Sequence, residues 1–107
     1  MEFNEYQKLA HETAVYPEEE AIVYTVLGLV NEAGEVAGKL KKWIRGDIPA
    51  GPALQDILEK ELGDVQWYLA ETCTALGLDL GQIASNNLDK LSDRANRGVI
   101  RGSGDDR

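Results

Sequence analysis

Two pairs of acidic residues, each spaced three apart within a long helical segment, constrain this chain more than any other feature. One pair is Glu32-x-x-Glu35 and the other is Glu61-x-x-Asp64. With about 3.6 residues per turn, the two carboxylates of a pair project from nearly one face of a helix. If two such helices pack side by side, four carboxylates share one small volume, and their repulsion requires a cation among them. Oxygen ligands in this number are typical of Mg²⁺ or Mn²⁺ sites, and Mg²⁺ commonly serves a phosphate-bearing substrate.

Apolar residues repeat with the helical period around each acidic pair. The stripe predicted to face the core in the earlier segment is Ile22, Val26, Leu29, Ala33, Val36 and Leu40. In the later segment it is Leu54, Leu58, Leu62, Val65, Leu69, Thr72 and Leu76. Glu61 falls inside the later stripe, and a buried carboxylate is costly unless it is paired or bound to metal. We therefore interpret the acids as ligands, although most Glu-x-x-Glu pairs are ordinary surface residues.

No stretch of the chain alternates with a period of two, so the predicted fold is all-α. Four helices are expected, at about 3–14, 18–45, 53–76 and 79–97, with Gly77 ending the third and Asp79 capping the fourth. Residues 1–97 are predicted to form a single domain, followed by a glycine-rich tail at 98–107 without regular structure. The two long helices are expected to lie antiparallel. Because only short helices cover them, we expect oligomerisation, as a homodimer or homotetramer, to complete a four-helix bundle.

Composition excludes several classes of function. The formal net charge of −8 and the isoelectric point near 4.5 argue against binding to a nucleic acid polymer or to an anionic membrane surface. A single cysteine, Cys73, provides no disulfide framework, and a single histidine, His11, excludes a di-iron bundle of the Glu-x-x-His type. Neither a secretory signal pattern nor a membrane-length apolar run is present, so a cytoplasmic protein is expected.

Two long segments resemble a known family. NEAGEVAGKLKK at 31–42 and EKELGDVQWYLAETCTALGLDL at 59–80 are similar to the MazG-type nucleotide pyrophosphohydrolases of the all-α NTP pyrophosphatase superfamily. The signature of that family is Glu-x-x-Glu, a spacer of one to three dozen residues, and Glu-x-x-Asp. Here 25 residues separate Glu35 from Glu61. The resemblance extends to the family's fourth-helix motif, seen here as Asn87-x-x-Lys90-Leu91-x-x-Arg94-x-x-Arg97-Gly98. It also includes GSGD at 102–105, which is similar to the tail of some small bacterial and phage members.

This resemblance implies hydrolysis of an NTP or dNTP between the α- and β-phosphates, which gives a monophosphate and pyrophosphate. The implied catalytic and metal-binding residues are Glu32, Glu35, Glu61 and Asp64. The implied cofactor is Mg²⁺, with Mn²⁺ as the alternative, and Glu32 is our choice for orienting the attacking water. The expected substrate-binding residues are Lys39, Trp43, Tyr68, Asn87, Lys90 and Arg94.

Two other classes of protein are compatible with the same helices. One is a non-catalytic regulatory oligomer that holds a nucleotide or metal without turning it over. The other is a purely structural oligomeric bundle, which would need none of the four acids. A panel of nucleotides incubated with Mg²⁺ separates these classes by the appearance of monophosphate and pyrophosphate.

Overall fold

The computed structural model describes residues 1–49 and 51–107. Within that part of the chain every regular element is helical, which confirms the all-α prediction. The α-helices are α1 (Phe3–His11), α2 (Ala21–Arg45), α3 (Pro52–Ala75) and α4 (Leu80–Asn96), and a 3₁₀ turn at Glu18–Glu20 precedes α2. None of the described helices combines the length and the apolar character needed to cross a membrane.

The first helix is shorter than predicted, and it ends at His11 rather than near Ala14. Thr13 explains this end, because its amide and its hydroxyl both donate to the carbonyl of Ala10, at 3.0 and 2.7 Å. The chain then turns through extended backbone at Pro17 into the 3₁₀ turn. Proline has no amide hydrogen to donate and disfavours helical backbone in the residue before it, so it separates the two helices.

Helices α2 and α3 form the antiparallel hairpin on which the rest of the chain is built. The antiparallel direction follows from the pairing, because Glu32 lies beside Asp64 while Tyr24, two turns earlier, lies beside Tyr68. At Gly28 the helices approach so closely that a Cβ atom would overlap the Tyr68 ring. The absence of a side chain at Gly28 therefore sets the separation of the two helices at this level.

Helix α1 packs antiparallel against the C-terminal half of α3 and also organises the start of α4. The side-chain nitrogen of Gln7 donates to Thr74 Oγ1 at 3.1 Å and to the Leu78 carbonyl at 2.8 Å. The side-chain oxygen of Gln7 accepts from the backbone amide of Leu80 at 2.7 Å. The Asn4 side chain accepts from the Gly81 amide at 2.8 Å. Asp79 occupies the predicted N-cap position but makes no side-chain capping bond. Two side chains of α1 supply the capping instead.

The turn between α3 and α4 ends the third helix where the sequence predicted. Gly77 has a φ of +70°, and the amide of Leu78 closes the turn by donating to the Cys73 carbonyl at 2.8 Å. Glycine is favoured in this left-handed conformation because it has no Cβ atom. The fully buried apolar core lies beside this turn, between α1, α3 and α4, and consists of Ala10, Ala70, Cys73 and Leu80.

The apolar stripes predicted as core are only partly covered, so that prediction was wrong for a single chain. Ile22 and Leu40 of α2 remain 49% and 42% exposed, and Leu62 and Leu76 of α3 remain 56% and 49% exposed. The radius of gyration is 16.7 Å, whereas a compact domain of this length is expected near 13 Å. Among the described residues α4 packs mainly on α1, and it leaves the long hairpin uncovered on one side.

Replacing Gly28 with alanine tests the close approach of α2 and α3. The added methyl group would displace the Tyr68 ring, and overpacking of this kind typically costs about 1–3 kcal/mol in the free energy of unfolding. Thermal and urea unfolding measure the change. Gly34→Ala is the matched control, because its Cβ would meet nothing within 4 Å and alanine favours helix. Equal effects of the two substitutions would contradict the proposed role of Gly28.

Candidate functional site

Three of the four predicted acids meet where α2 and α3 face each other. Glu32 comes from α2, while Glu61 and Asp64 come from successive turns of α3. One carboxylate oxygen from each of the three lies within 4.8 Å of the other two. Glu32 and Glu61 are half-buried and Asp64 is exposed, so the cluster opens toward solvent on one side. The antiparallel register fixed at Gly28 brings the two sequence motifs to the same level of the hairpin.

Glu35, the fourth predicted acid, lies one turn beyond Glu32 and outside this three-residue cluster. Its side chain is exposed and lines a shallow groove on α2 together with Gly34, Gly38 and Lys39. Lys39 thus lies on the same face as Glu35, as the helical period predicted. Glu35 is still close enough to act on Glu32 electrostatically. The structure therefore groups the carboxylates of Glu32, Glu61 and Asp64, and it places the Glu35 carboxylate and the Lys39 ammonium group in a groove beside them.

Crowding of negative charge makes the cluster a candidate cation site. Burial raises the pKa of Glu32, and the neighbouring charges of Glu35, Asp64 and Glu61 raise it further. Among residues 1–49 and 51–107, no lysine, arginine or histidine forms an ion pair with any of the four acids. Carboxylates held together without an internal counter-ion fit a hard divalent cation, for which oxygen ligands are preferred.

Tyr68 forms one wall of the site. It lies one turn after Asp64, and its ring is held against Gly28. Burial and the hydrogen bond with Tyr24 raise the pKa of the Tyr68 phenol, and the charges of Glu32 and Asp64 raise it further. The phenol therefore stays protonated and next to the acids. A neutral ring with a polar edge at this position is suited to contact a sugar or a base.

The remaining predicted substrate-binding residues lie away from the acids in the single chain. Trp43 is half-buried in the last turns of α2, two turns beyond Glu35. Asn87 is exposed on α4, while Lys90 and Arg94 both contact Asp105 of the C-terminal tail. Since α4 packs mainly on α1, the fold of one chain does not bring these α4 residues to Glu32, Glu61 and Asp64.

Glu71 is a buried ionisable residue that the sequence reasoning missed. It is fully buried in α3, where its Oε1 accepts from the Tyr16 hydroxyl at 2.7 Å and pairs with His11 Nδ1 at 3.1 Å. Its Oε2 has no partner among the described residues. Burial and the bond to Glu71 raise the pKa of Tyr16. A signal was present in the sequence, because Glu71 is the only charged residue between 65 and 78.

Comparison with known proteins identifies the family. The model of the MazG nucleotide pyrophosphohydrolase domain matches residues 22–99, which include both acidic motifs and the predicted fourth-helix motif. The chain is also 44% identical over 109 residues to the Gene 37 protein of Mycobacterium phage L5, with 95% of this chain and 96% of the relative covered. No solved structure gives a significant match. With the acidic hairpin and the all-helical fold, these matches show that the chain belongs to the MazG nucleotide pyrophosphohydrolase domain family.

Proposed function

We propose that the chain is a Mg²⁺-dependent pyrophosphohydrolase that cleaves an NTP or dNTP between the α- and β-phosphates. The observation that carries the proposal is the meeting of Glu32, Glu61 and Asp64 oxygens within 4.8 Å, with no internal counter-ion among the described residues. The family supports nucleotide pyrophosphohydrolase chemistry. The choice of Mg²⁺ rests on the donor set, which consists of carboxylate oxygens with no nearby histidine or cysteine.

The four acids have different proposed roles because their surroundings differ. Glu61 and Asp64, with Glu35 at the edge, would hold the metal, which supplies charge neutralisation at the phosphate oxygens and a more acidic bound water. Glu32 faces Glu61 and Asp64 from the opposite helix and is half-buried. From there it orients the attacking water and accepts its proton. Phosphoryl chemistry of this type depends on positioning and electrostatics rather than on a covalent intermediate.

Substrate contacts follow from the position of each group. The Lys39 ammonium shares a groove with Glu35, so it reaches phosphate oxygens bound beside the acids. Tyr68 stacks on the sugar or base, and Trp43 borders the same side of α2 farther along the helix. Asn87, Lys90 and Arg94 bind base, ribose or phosphate groups once α4 is brought to the site.

Assembly supplies the missing α4 surface in this proposal. The half-exposed apolar stripes of α2 and α3 and the large radius of gyration leave the hairpin uncovered. A second copy packed on these stripes would bury them, and its α4 would bring Asn87, Lys90 and Arg94 toward the acids. We therefore propose a homodimer or a homotetramer with active sites near the contacts between subunits.

Glu61→Gln tests the catalytic assignment. The amide keeps the size of the side chain but removes a charged metal ligand, so turnover should fall by at least about a hundredfold, as when a major electrostatic stabiliser is lost. Monophosphate and pyrophosphate release from a nucleotide panel with Mg²⁺ measures the loss. Glu59→Gln removes the same charge from an exposed position two residues earlier and should retain near-normal turnover. Near-normal turnover in folded Glu61→Gln would refute the assignment.

The assembly proposal predicts a dimer or tetramer at micromolar protein concentration. Light scattering coupled to size exclusion measures the mass against the 11.7 kDa chain. Leu62→Glu places a charge on the exposed α3 stripe and should shift the mass toward the monomer. Lys60→Glu, at an exposed polar position of the same helix, is the control and should leave the mass unchanged. A wild-type monomer under these conditions would contradict the proposal.

The metal-free protein should be destabilised by its own acids. Neutralising one of them, as in Glu32→Gln, should raise the melting temperature without metal. Glu61→Gln, which also removes a proposed metal ligand, should in addition lose most of the increase that Mg²⁺ causes. In wild type, Mg²⁺ should raise the free energy of unfolding by RT ln(1 + [L]/Kd), about 2.7 kcal/mol at a hundredfold excess over Kd, and this appears as a higher melting temperature. Differential scanning calorimetry with and without chelator measures both effects.

The sign of the pH dependence follows from the raised pKa of Glu32. The folded state holds this proton more tightly than the unfolded state, so the repulsive cost is present at neutral pH. It is relieved as the pH falls through the folded-state pKa. The melting-temperature advantage of Glu32→Gln over metal-free wild type should therefore shrink on acidification. A lower melting temperature for metal-free Glu32→Gln than for metal-free wild type would show that Glu32 is outside the repulsive cluster. An undiminished Mg²⁺ effect in Glu61→Gln would show that Glu61 does not hold the ion.

A further inference from the structure

The C-terminal end of this acidic chain is one of two segments rich in positive charge, the other being the end of α2 at 39–45. Residues 89–107 contain five of the eleven lysines and arginines but only four of the nineteen aspartates and glutamates. This end therefore carries a small positive net charge, while the rest of the chain is strongly negative. This end therefore repels an anionic ligand less than the chain as a whole does.

The tail that follows α4 folds back onto the basic side of that helix. The Asp105 carboxylate accepts from Lys90 Nζ at 3.1 Å and from Arg94 Nη2 at 3.3 Å. Arg94 Nη2 also donates to the backbone carbonyl of Asp105 at 3.0 Å. The hydrogen bonds to Lys90 and Arg94 lower the pKa of Asp105, so its carboxylate is charged.

Further hydrogen bonds close the tail into an ordered loop. Arg97 donates to the Arg107 carbonyl at 2.6 Å, and Arg107 donates to the carbonyls of Val99 and Ile100, each at 3.1 Å. Although it lies on the outlying α4, Arg94 is only 4% exposed. Its side-chain hydrogen bonds run to the tail, so the tail contributes to its burial. The segment predicted to lack regular structure is therefore docked on the helix.

We propose that the tail is an internal competitor of the nucleotide, in which Asp105 holds the Lys90–Arg94 pair until a phosphate group of the substrate displaces it. This inference rests on the proposed function, which assigns Lys90 and Arg94 to phosphate binding. A carboxylate and a phosphate use the same donors, and an arginine prefers to bind either through two nitrogens. Arg94 engages the tail through Nη2 alone, so a phosphate that uses its second nitrogen gains a contact that Asp105 does not make.

The strength of the contact suits a reversible competitor. Arg94 is buried, but the Asp105 carboxylate is 83% exposed and Lys90 is 41% exposed. An ion pair whose acid lies in water is worth about 1 kcal/mol. A polyphosphate carries several negative charges, so its own contacts can offset the loss of the Asp105 ion pair. Removing the Asp105 charge should therefore strengthen phosphate binding by up to about fivefold, which corresponds to that energy.

Asp105→Asn tests the competition, and Asp106→Asn is its control. Both remove one negative charge from the tail, but Asp106 makes no ion pair or hydrogen bond among the described residues. Calorimetry with inorganic pyrophosphate and Mg²⁺ measures binding, and steady-state hydrolysis of the preferred nucleotide measures kcat and KM. Asp105→Asn should lower the pyrophosphate Kd and the KM by up to about fivefold relative to Asp106→Asn, with kcat unchanged.

Competition also predicts a movement of the tail. In amide NMR spectra of the wild type, saturating pyrophosphate should shift the Val99 and Gly104 resonances toward their positions in free Asp105→Asn. Equal or weaker pyrophosphate binding by Asp105→Asn than by Asp106→Asn would overturn the competition and leave the proposed function intact. If no nucleotide is hydrolysed by the wild type, the proposed function fails, while the pyrophosphate comparison still decides whether the tail competes.

Discussion

The close approach of α2 and α3 at Gly28 is the constraint on which the rest of the structure depends. The Tyr68 ring fills the space that a side chain at position 28 would occupy. This contact fixes the level at which the antiparallel helices face each other. Glu32 lies one turn after Gly28 in α2, and Asp64 lies one turn before Tyr68 in α3. The same register therefore brings Glu32 beside Asp64. A slip of one turn would separate the acids, so an apolar packing contact determines the geometry of the polar site.

The same hairpin contains two groups of acidic residues in opposite surroundings, one buried and one open to solvent. Glu71 lies two turns beyond Asp64 and is fully buried. Its carboxylate accepts a hydrogen bond from the Tyr16 hydroxyl and pairs with the His11 ring. Its desolvation is offset by hydrogen bonds from within the chain. Glu32, Glu61 and Asp64 have no such basic partner among the described residues. Glu71 of α3 therefore holds α1 through His11 and the loop between α1 and α2 through Tyr16, whereas the cluster is suited to an external cation.

Exposure of the apolar stripes and the position of the α4 cations have one common cause. The start of α4 is held by α1, because Gln7 and Asn4 accept hydrogen bonds from its first amides, and α4 packs mainly on α1 rather than on the long hairpin. The side of α2 and α3 that a fourth helix would cover remains partly open. In the proposed assembly a second copy covers that side. In the single chain, Asp105 of the tail is the anion that pairs with Lys90 and Arg94.

The helical pattern of the sequence determined the fold class, because a period of 3.6 residues and the Gly77 stop depend only on neighbouring residues. It also determined that each acidic pair shares one helix face. Helical periodicity alone does not bring the two acidic pairs together, because their meeting requires the hairpin register set by Gly28 and Tyr68. The separation of Glu35 from the three-carboxylate cluster appeared only in three dimensions, because one turn of α2 carries it past the partner acids.

Other features were decided by tertiary structure alone. Periodicity identified apolar stripes, but it does not distinguish a face that packs within the chain from one left for a partner. Capping of α4 by Gln7 joins residues 73 positions apart, and no local rule connects them. Asp105 likewise reaches Arg94 only because the glycine-rich tail turns back on α4. The sequence alone thus determined the helices and the acidic residue types they carry. Long-range packing decided which acids meet, which one is buried and which cations are already bound, because those outcomes depend on contacts between distant residues.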